Sequence, residues 1–252
     1  MQSVDLTKAA INLHAILRNL EDLSALDDEA RRILGTSRVS VAFHVPGVES
    51  LSLHFAEGGC SARRPAESAS IVLRFKDAAH FNRMIDGKAN PIPTKGFLKL
   101  GFLKTTFVQL ADRLTRVLRP SAEDLKDPAF ARLSTVLTAY AAFFAVPELA
   151  FYEASAKRCA ERMRDGVIRV EVQDGPAISL VVQDGLMRAT KEEKRPVSAL
   201  MHFDSIETAG GILSGTLDSY AALGAGKLRV QGYIPLVDNL NKILGILPRY
   251  LS

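Results

Sequence analysis

Two stretches of this chain, 128 residues apart, carry the same order of strand, helix-start and glycine positions. Residues 69–88, ASIVLRFKDAAHFNRMIDGK, lie over 197–216, VSALMHFDSIETAGGILSGT. Ser70 meets Ser198, Phe75 meets Phe203, Ile85 meets Leu213 and Gly87 meets Gly215. Each stretch is an apolar run of strand length, a polar residue that can open a helix, and a glycine that can close it. Upstream, SLHFAEG at 52–58 lies over SLVVQDG at 179–185. Downstream, GFLKLGFL at 96–103 is set over GKLRVQGYI at 226–234 as the last strand, with one extra residue in the second copy. Repetition on this scale predicts one supersecondary unit written twice, over 1–120 and 121–252.

Amphipathic stretches precede each strand region. Leu6, Ala10, Leu13, Leu17 and Leu20 recur at helix spacing, and a short helix after them closes at Gly35. In the second half Phe130, Leu133, Leu137, Tyr140 and Phe144 form one stripe, and Tyr152, Ala156, Cys159 and Met163 another. The join lies at RPSAEDLKDP, 119–128, where Ser121 and Asp124 suit a helix cap. Val39, Val41, Phe43 and Val45 alternate with Arg38, Ser40, Ala42 and His44, the pattern of a strand with one buried face. The expectation is an α+β chain of two units, each a mostly antiparallel sheet of about five strands with helices on one face.

Composition narrows the function classes. No 18-residue run is continuously apolar, and the N-terminal stretch carries acids early, so we expect neither a spanning helix nor a secretory signal. Cys60 and Cys159 are far apart with no Cys-x-x-Cys, which fits a cytoplasmic chain with two thiols. The net charge of +4 is too mild to point to nucleic acid. It is uneven, however: 17 basic against 12 acidic residues in 1–120 give +5, and 15 against 16 in 121–252 give −1.

The run ILSGTLDSYAALGAGKLRVQGYIPLVDNLNKIL, 212–244, resembles the sterol carrier protein type 2 family. It is similar to that family's helix ending in glycine, short loop, Gly-Lys-Leu strand and closing amphipathic helix. Gly215, Gly226, Lys227, Leu228, Val230 and Gly232 fall on that pattern. The first half matches through MIDGKANP at 84–91 and GFLKLGFL at 96–103, and the matched portions cover roughly 39–119 and 167–247. Two departures stand out. Phe102 and Tyr233 occupy positions where the family commonly has an acid, and Pro91-Ile92-Pro93 replaces its approach to the last strand. The resemblance implies helices and sheet enclosing a hydrophobic tunnel. Its members bind sterols, fatty acids, acyl-CoA, phospholipids or isoprenoid quinone precursors; some assist ubiquinone synthesis, and others are appended domains that carry no lipid.

Lining candidates in the first copy are Phe81, Ile85, Phe97, Leu100, Phe102, Phe107 and Leu110. In the second they are Phe203, Leu213, Leu228, Val230, Tyr233, Leu236, Val237 and Leu240. The same composition suits a filled core, and the residues by themselves do not choose between the two. On the helix read over 102–118, Lys104, Arg113 and Arg116 lie off the apolar stripe and Lys99 stands just before it. Such a helix suits a transient contact with an anionic membrane surface, or is an ordinary solvated face.

No catalytic or metal-binding set is visible. There is no Gly-x-Ser-x-Gly elbow, and Gly224-Ala225-Gly226-Lys227 precedes a strand where a phosphate loop would precede a helix. His44 and His54 could approach each other on the first hairpin, without the further ligands a metal needs. The expected function is non-catalytic binding, transfer or presentation of a hydrophobic lipid, without a cofactor. The alternative is a scaffold or accessory factor with a filled core. The oligomeric state is left open.

Overall fold

The computed structural model describes residues 2–251. It divides into two compact units, 1–121 and 122–252, each with its own five-stranded sheet and helices.

The first unit opens with α1 (Gln2–Ile11), a π turn (Asn12–Ile16), a 3-10 turn (Leu17–Asn19) and α2 (Leu20–Leu26). Ala10, Leu13, Leu17 and Leu20 are buried, as their spacing predicts. The π turn widens the helix, so Asn12, Leu13, His14 and Ala15 are all buried in succession. Then come α3 (Asp28–Leu34), β1 (Val39–His44), β2 (Leu51–Ala56), β3 (Gly59–Arg63), β4 (Ile71–Arg74), α4 (Ala78–Ile85) and β5 (Ile92–Lys95). A 3-10 turn (Phe97–Lys99), α5 (Leu100–Phe102), a π turn (Leu103–Phe107) and α6 (Val108–Leu118) complete the unit.

The second unit has α7 (Pro128–Tyr152), α8 (Ala154–Glu161), β6 (Gly166–Val172), β7 (Ala177–Gln183), β8 (Leu186–Thr190) and β9 (Ala199–Phe203). It continues with α9 (Ile206–Leu213), α10 (Ser219–Gly224), β10 (Leu228–Gly232) and α11 (Ile234–Leu244). Asp127 caps α7 by accepting from the Ala129 amide, with Pro128 opening the helix, so the cap lies past the expected Ser121 and Asp124. α7 has the length and hydropathy to cross a membrane even though no 18-residue run is continuously apolar. Half of that window is buried, and the helix packs on α8, α9, α11 and β8.

The strand orders are β3-β2-β1-β4-β5 and β10-β9-β6-β7-β8, the same arrangement written from opposite ends. The expectation of mostly antiparallel sheets needs correcting, because both are mixed. β1 runs parallel to β4, and β6 to β9, at the centre of each sheet. Alternation along a strand reports which face is buried and is blind to the neighbour's direction. The parallel pair comes from the return path. After β3 the chain crosses the sheet through 64–70, pinned where the Ala66 and Glu67 amides donate to the Ser50 and Ser52 hydroxyls. Ala42 and Ser52, paired across β1 and β2, are buried, and Ser52 meets that crossing directly.

The last strand of the first unit also lies elsewhere than expected. β5 is Ile92–Lys95, and 96–103 begins a helix that extends to Leu118 instead of starting near 102. Gly96 therefore matches Gly232, not Gly226. Both have a left-handed backbone, φ +85° and +83°, and an added Cβ would sit 2.3 Å from the Ser70 or Ser198 carbonyl oxygen. The additional residues of the second unit form α10.

Polar groups fix the edges. The β3 amides of Cys60 and Ala62 donate to Ser24 Oγ (2.9 Å) and Glu21 Oε1 (3.2 Å) on α2, closing an otherwise open strand edge. His14 is buried with Nε2 2.9 Å from the Glu49 carbonyl oxygen, and its Nδ1 has no hydrogen-bond partner. Burial first, and then the Arg64 charge, lower its pKa from 6.5 to about 3.

Two outcomes are expected. Gly96→Ala or Gly232→Ala combines a strained φ with a backbone clash and should cost about 2 kcal/mol or more in chemical denaturation. His14 folds neutral, so its contribution is complete above about pH 6.5 and is lost as pH falls toward 3. The melting temperature should therefore fall across that window, and less steeply in His14→Gln.

Candidate lipid-binding site

The apolar face of the first sheet is built from alternate residues of β1 and β2, chiefly Phe43 and Phe55, both fully buried. The chain between β5 and α6 lies over it. Phe102 stacks obliquely on Phe55 with ring centroids 5.3 Å apart, and Phe107 stands 6.1 Å from Phe43 and 6.3 Å from Phe55. These distances are those of favourable aromatic pairs.

The sheet face is covered, but the covering segment is itself only partly buried. None of the residues from Phe97 to Phe107 is buried, although Phe97, Leu98, Leu100, Phe102, Leu103 and Phe107 are all bulky and apolar. Leu100, Phe102, Leu103 and Phe107 are half-buried, Phe97 is 63% exposed, and Leu98 is fully exposed. One helical step later the same helix is sealed, with Leu110, Leu114 and Val117 buried. The sealed part is held by an ion pair. Arg113 donates from Nε and Nη2 to the two Asp27 carboxylate oxygens (2.9 and 3.0 Å), and its Nη1 lies 2.8 Å from Glu29 Oε2. Burial acts to raise the Asp27 carboxyl, but hydrogen bonds from Arg113 and the Ala30 amide outweigh it and hold the group below its ordinary value.

This geometry separates the sequence candidates. Phe81 and Leu110 are core residues, and Phe81 packs edge-on against Phe75 at 4.9 Å. Ile85 is half-buried at the end of α4. Phe97, Leu100, Phe102 and Phe107 come together on the unsealed segment. In the second unit Phe203, Leu228, Leu236, Val237 and Leu240 are buried, Leu213 and Val230 half-buried, and Tyr233 exposed. There α11 is buried from Leu236 and Val237 onward, while Ile234 at its start is exposed.

Of the cations expected at a membrane, Lys99, Lys104 and Arg116 are exposed. Arg113 is not among them: its side chain is 11% exposed and committed to Asp27 and Glu29. Sequence placed it off the apolar stripe, but an acid 86 residues away gives no local signal.

His54 lies opposite Ser40 and bonds Ser52, while His44 sits four residues farther along β1, roughly 13 Å at strand spacing. Among the described residues no three His, Cys, Asp or Glu side chains cluster as a metal site. Burial, and then Glu21, push the Cys60 thiol up, away from the thiolate a nucleophile requires.

No family model matches the sequence, and no curated protein matches it significantly. Solved structures do. A ubiquinone synthesis protein, UbiJ-SCP2, is 20% identical and matches 44% of this chain and 94% of its own, with a TM-score of 0.35. The sterol carrier protein domain 2 of Helicoverpa armigera is 18% identical over 43% of this chain and 86% of its own, with a TM-score of 0.36. A sec-alkylsulfatase, Pisa1 from Pseudomonas sp., is 12% identical over 57% of this chain and 28% of its own, with a TM-score of 0.26.

Arg113→Met leaves Asp27 buried without its partner. It should destabilise the first unit by about 2–4 kcal/mol, read from urea unfolding. Lys104→Met, at an exposed position, should stay within roughly 0.5 kcal/mol of the parent chain.

Proposed function

We propose that the chain is two tandem copies of a sterol-carrier-like unit, and that the first copy binds a hydrophobic lipid without catalysis. The acyl, sterol or isoprenoid chain would lie between the segment 97–107 and the sheet face of Phe43 and Phe55. A single observation carries this reading: a run of bulky apolar residues stacks on an aromatic sheet face yet leaves none of its members buried. A helix that only completed a core would seal, as α6 and α11 do. The resemblance of 212–244 to the sterol carrier pattern, and the shared strand order of the two units, support the tandem reading. We read the second copy as the filled one, on the burial of Leu236, Val237, Leu240 and Ile243 along α11. The setting we infer is cytoplasmic, in keeping with two thiols far apart in sequence.

The second reading is a scaffold with a filled core, which the sealed second unit favours. Native mass spectrometry of gently purified protein separates the two: a co-purified lipid mass supports the carrier, and a bare chain the scaffold. In titrations with fatty acids, affinity should rise with chain length, by at most about 0.8 kcal/mol per methylene. Phe102→Ser with Phe107→Ser should weaken binding on the order of tenfold or more, and Tyr233→Ser should leave it unchanged.

A further inference from the structure

The segment 97–107 that lies over the sheet face of Phe43 and Phe55 also has an outward face. Along the helix Phe97, Gly101, Lys104 and Val108 recur at helix spacing, and all four positions are exposed or nearly so. Leu98 projects fully into solvent, Phe97 is largely exposed, and Val108, like Ile92 on the neighbouring edge strand, is about half exposed. Isolated apolar side chains on a surface are ordinary, but several on one short segment are not. The charge around them has a single sign. Between Asp86 and Asp112 the chain holds Lys88, Lys95, Lys99 and Lys104 and no acid. Lys99 and Lys104 are exposed, with no acid paired to either among the described residues. Lys95 reaches back to the Ala69 carbonyl at 2.8 Å.

An exposed aromatic–aliphatic tip beside Lys99 and Lys104 meets two demands of an anionic bilayer: apolar groups for the acyl boundary and cations for the phosphates above it. A protein partner would have to be acidic and apolar at once. We propose that residues 87–111 dock on an anionic lipid bilayer, with Phe97 and Leu98 entering the headgroup boundary and Lys99 and Lys104 contacting lipid phosphates. Arg113, spent on Asp27, takes no part. The proposal concerns the outer surface and stands whether or not a lipid occupies the interior, which is tested without vesicles.

The absence of tryptophan from the sequence gives a clean probe. Leu98→Trp, at a fully exposed position, places a single indole at the tip, and Phe151→Trp, at an exposed position on α7, is the control. With vesicles of phosphatidylcholine plus phosphatidylglycerol, the Leu98→Trp emission should shift to the blue and be quenched by bromine-labelled acyl chains. With phosphatidylcholine alone both effects should be weak, and the control should change in neither case. Adding Lys99→Glu and Lys104→Glu should weaken binding on the order of tenfold or more, and so should high salt. Equal response to the two vesicle types would overturn the proposal. So would indifference to the lysine reversals, or a blue shift without vesicles that grows with protein concentration, the mark of a second copy on this face.

Discussion

The path of the chain at the last strand governs what each unit can do with its final helix. Gly96 and Gly232 press against the carbonyl of the neighbouring strand, in a backbone conformation that side chains resist. After that turn the chain folds back over its sheet in both units. Both units make the same turn, and they diverge immediately after it. In the second, α11 begins at once and buries its apolar stripe. In the first, the helical turns change between 3-10, α and π spacing before α6 settles, and the bulky residues on them stay partly open.

The first unit's final helix is therefore anchored at one end. Arg113 ties α6 to the cap of α3, and Leu110, Leu114 and Val117 pack beneath it. Asp27 both caps α3 and receives Arg113, so one carboxylate couples a helix start to the closing helix. Among the described residues no comparable ion pair links Phe97–Phe107 to the sheet; its contacts there are aromatic stacking. Single ring and dispersion contacts are weak, whereas parting a buried ion pair leaves an uncompensated charge. Under the proposed function, a helix fixed at its C-terminal half and stacked through rings at its N-terminal half would admit a chain-like ligand without unfolding the unit.

Much of this is legible in the sequence, for identifiable reasons. The Ser70/Ser198, Phe75/Phe203 and Gly87/Gly215 matches mark a strand, helix and stop, and both units contain β4 or β9 followed by α4 or α9 at those positions. Val41, Phe43 and Val45 face inward as their alternation requires. The parallel central pair is invisible there, because strand direction leaves no trace in alternation. The last strand of the first unit is misplaced by pattern alone, because GFLKLGFL is rich in residues that suit either element, while Ile92–Lys95 holds a proline that argues against a strand. An edge position, where Pro93 need not donate on its outer side, resolves that objection. Arg113 and His14 owe their environments to partners far along the chain, which no local pattern encodes.

The difference between the two final helices is the central claim, and hydrogen–deuterium exchange on the full chain reads it directly. On addition of a long-chain fatty acid, the amides of 97–107 should become markedly slower to exchange, while those of 234–244 stay as they were. Unchanged exchange at 97–107, or equal protection in both helices, would contradict it.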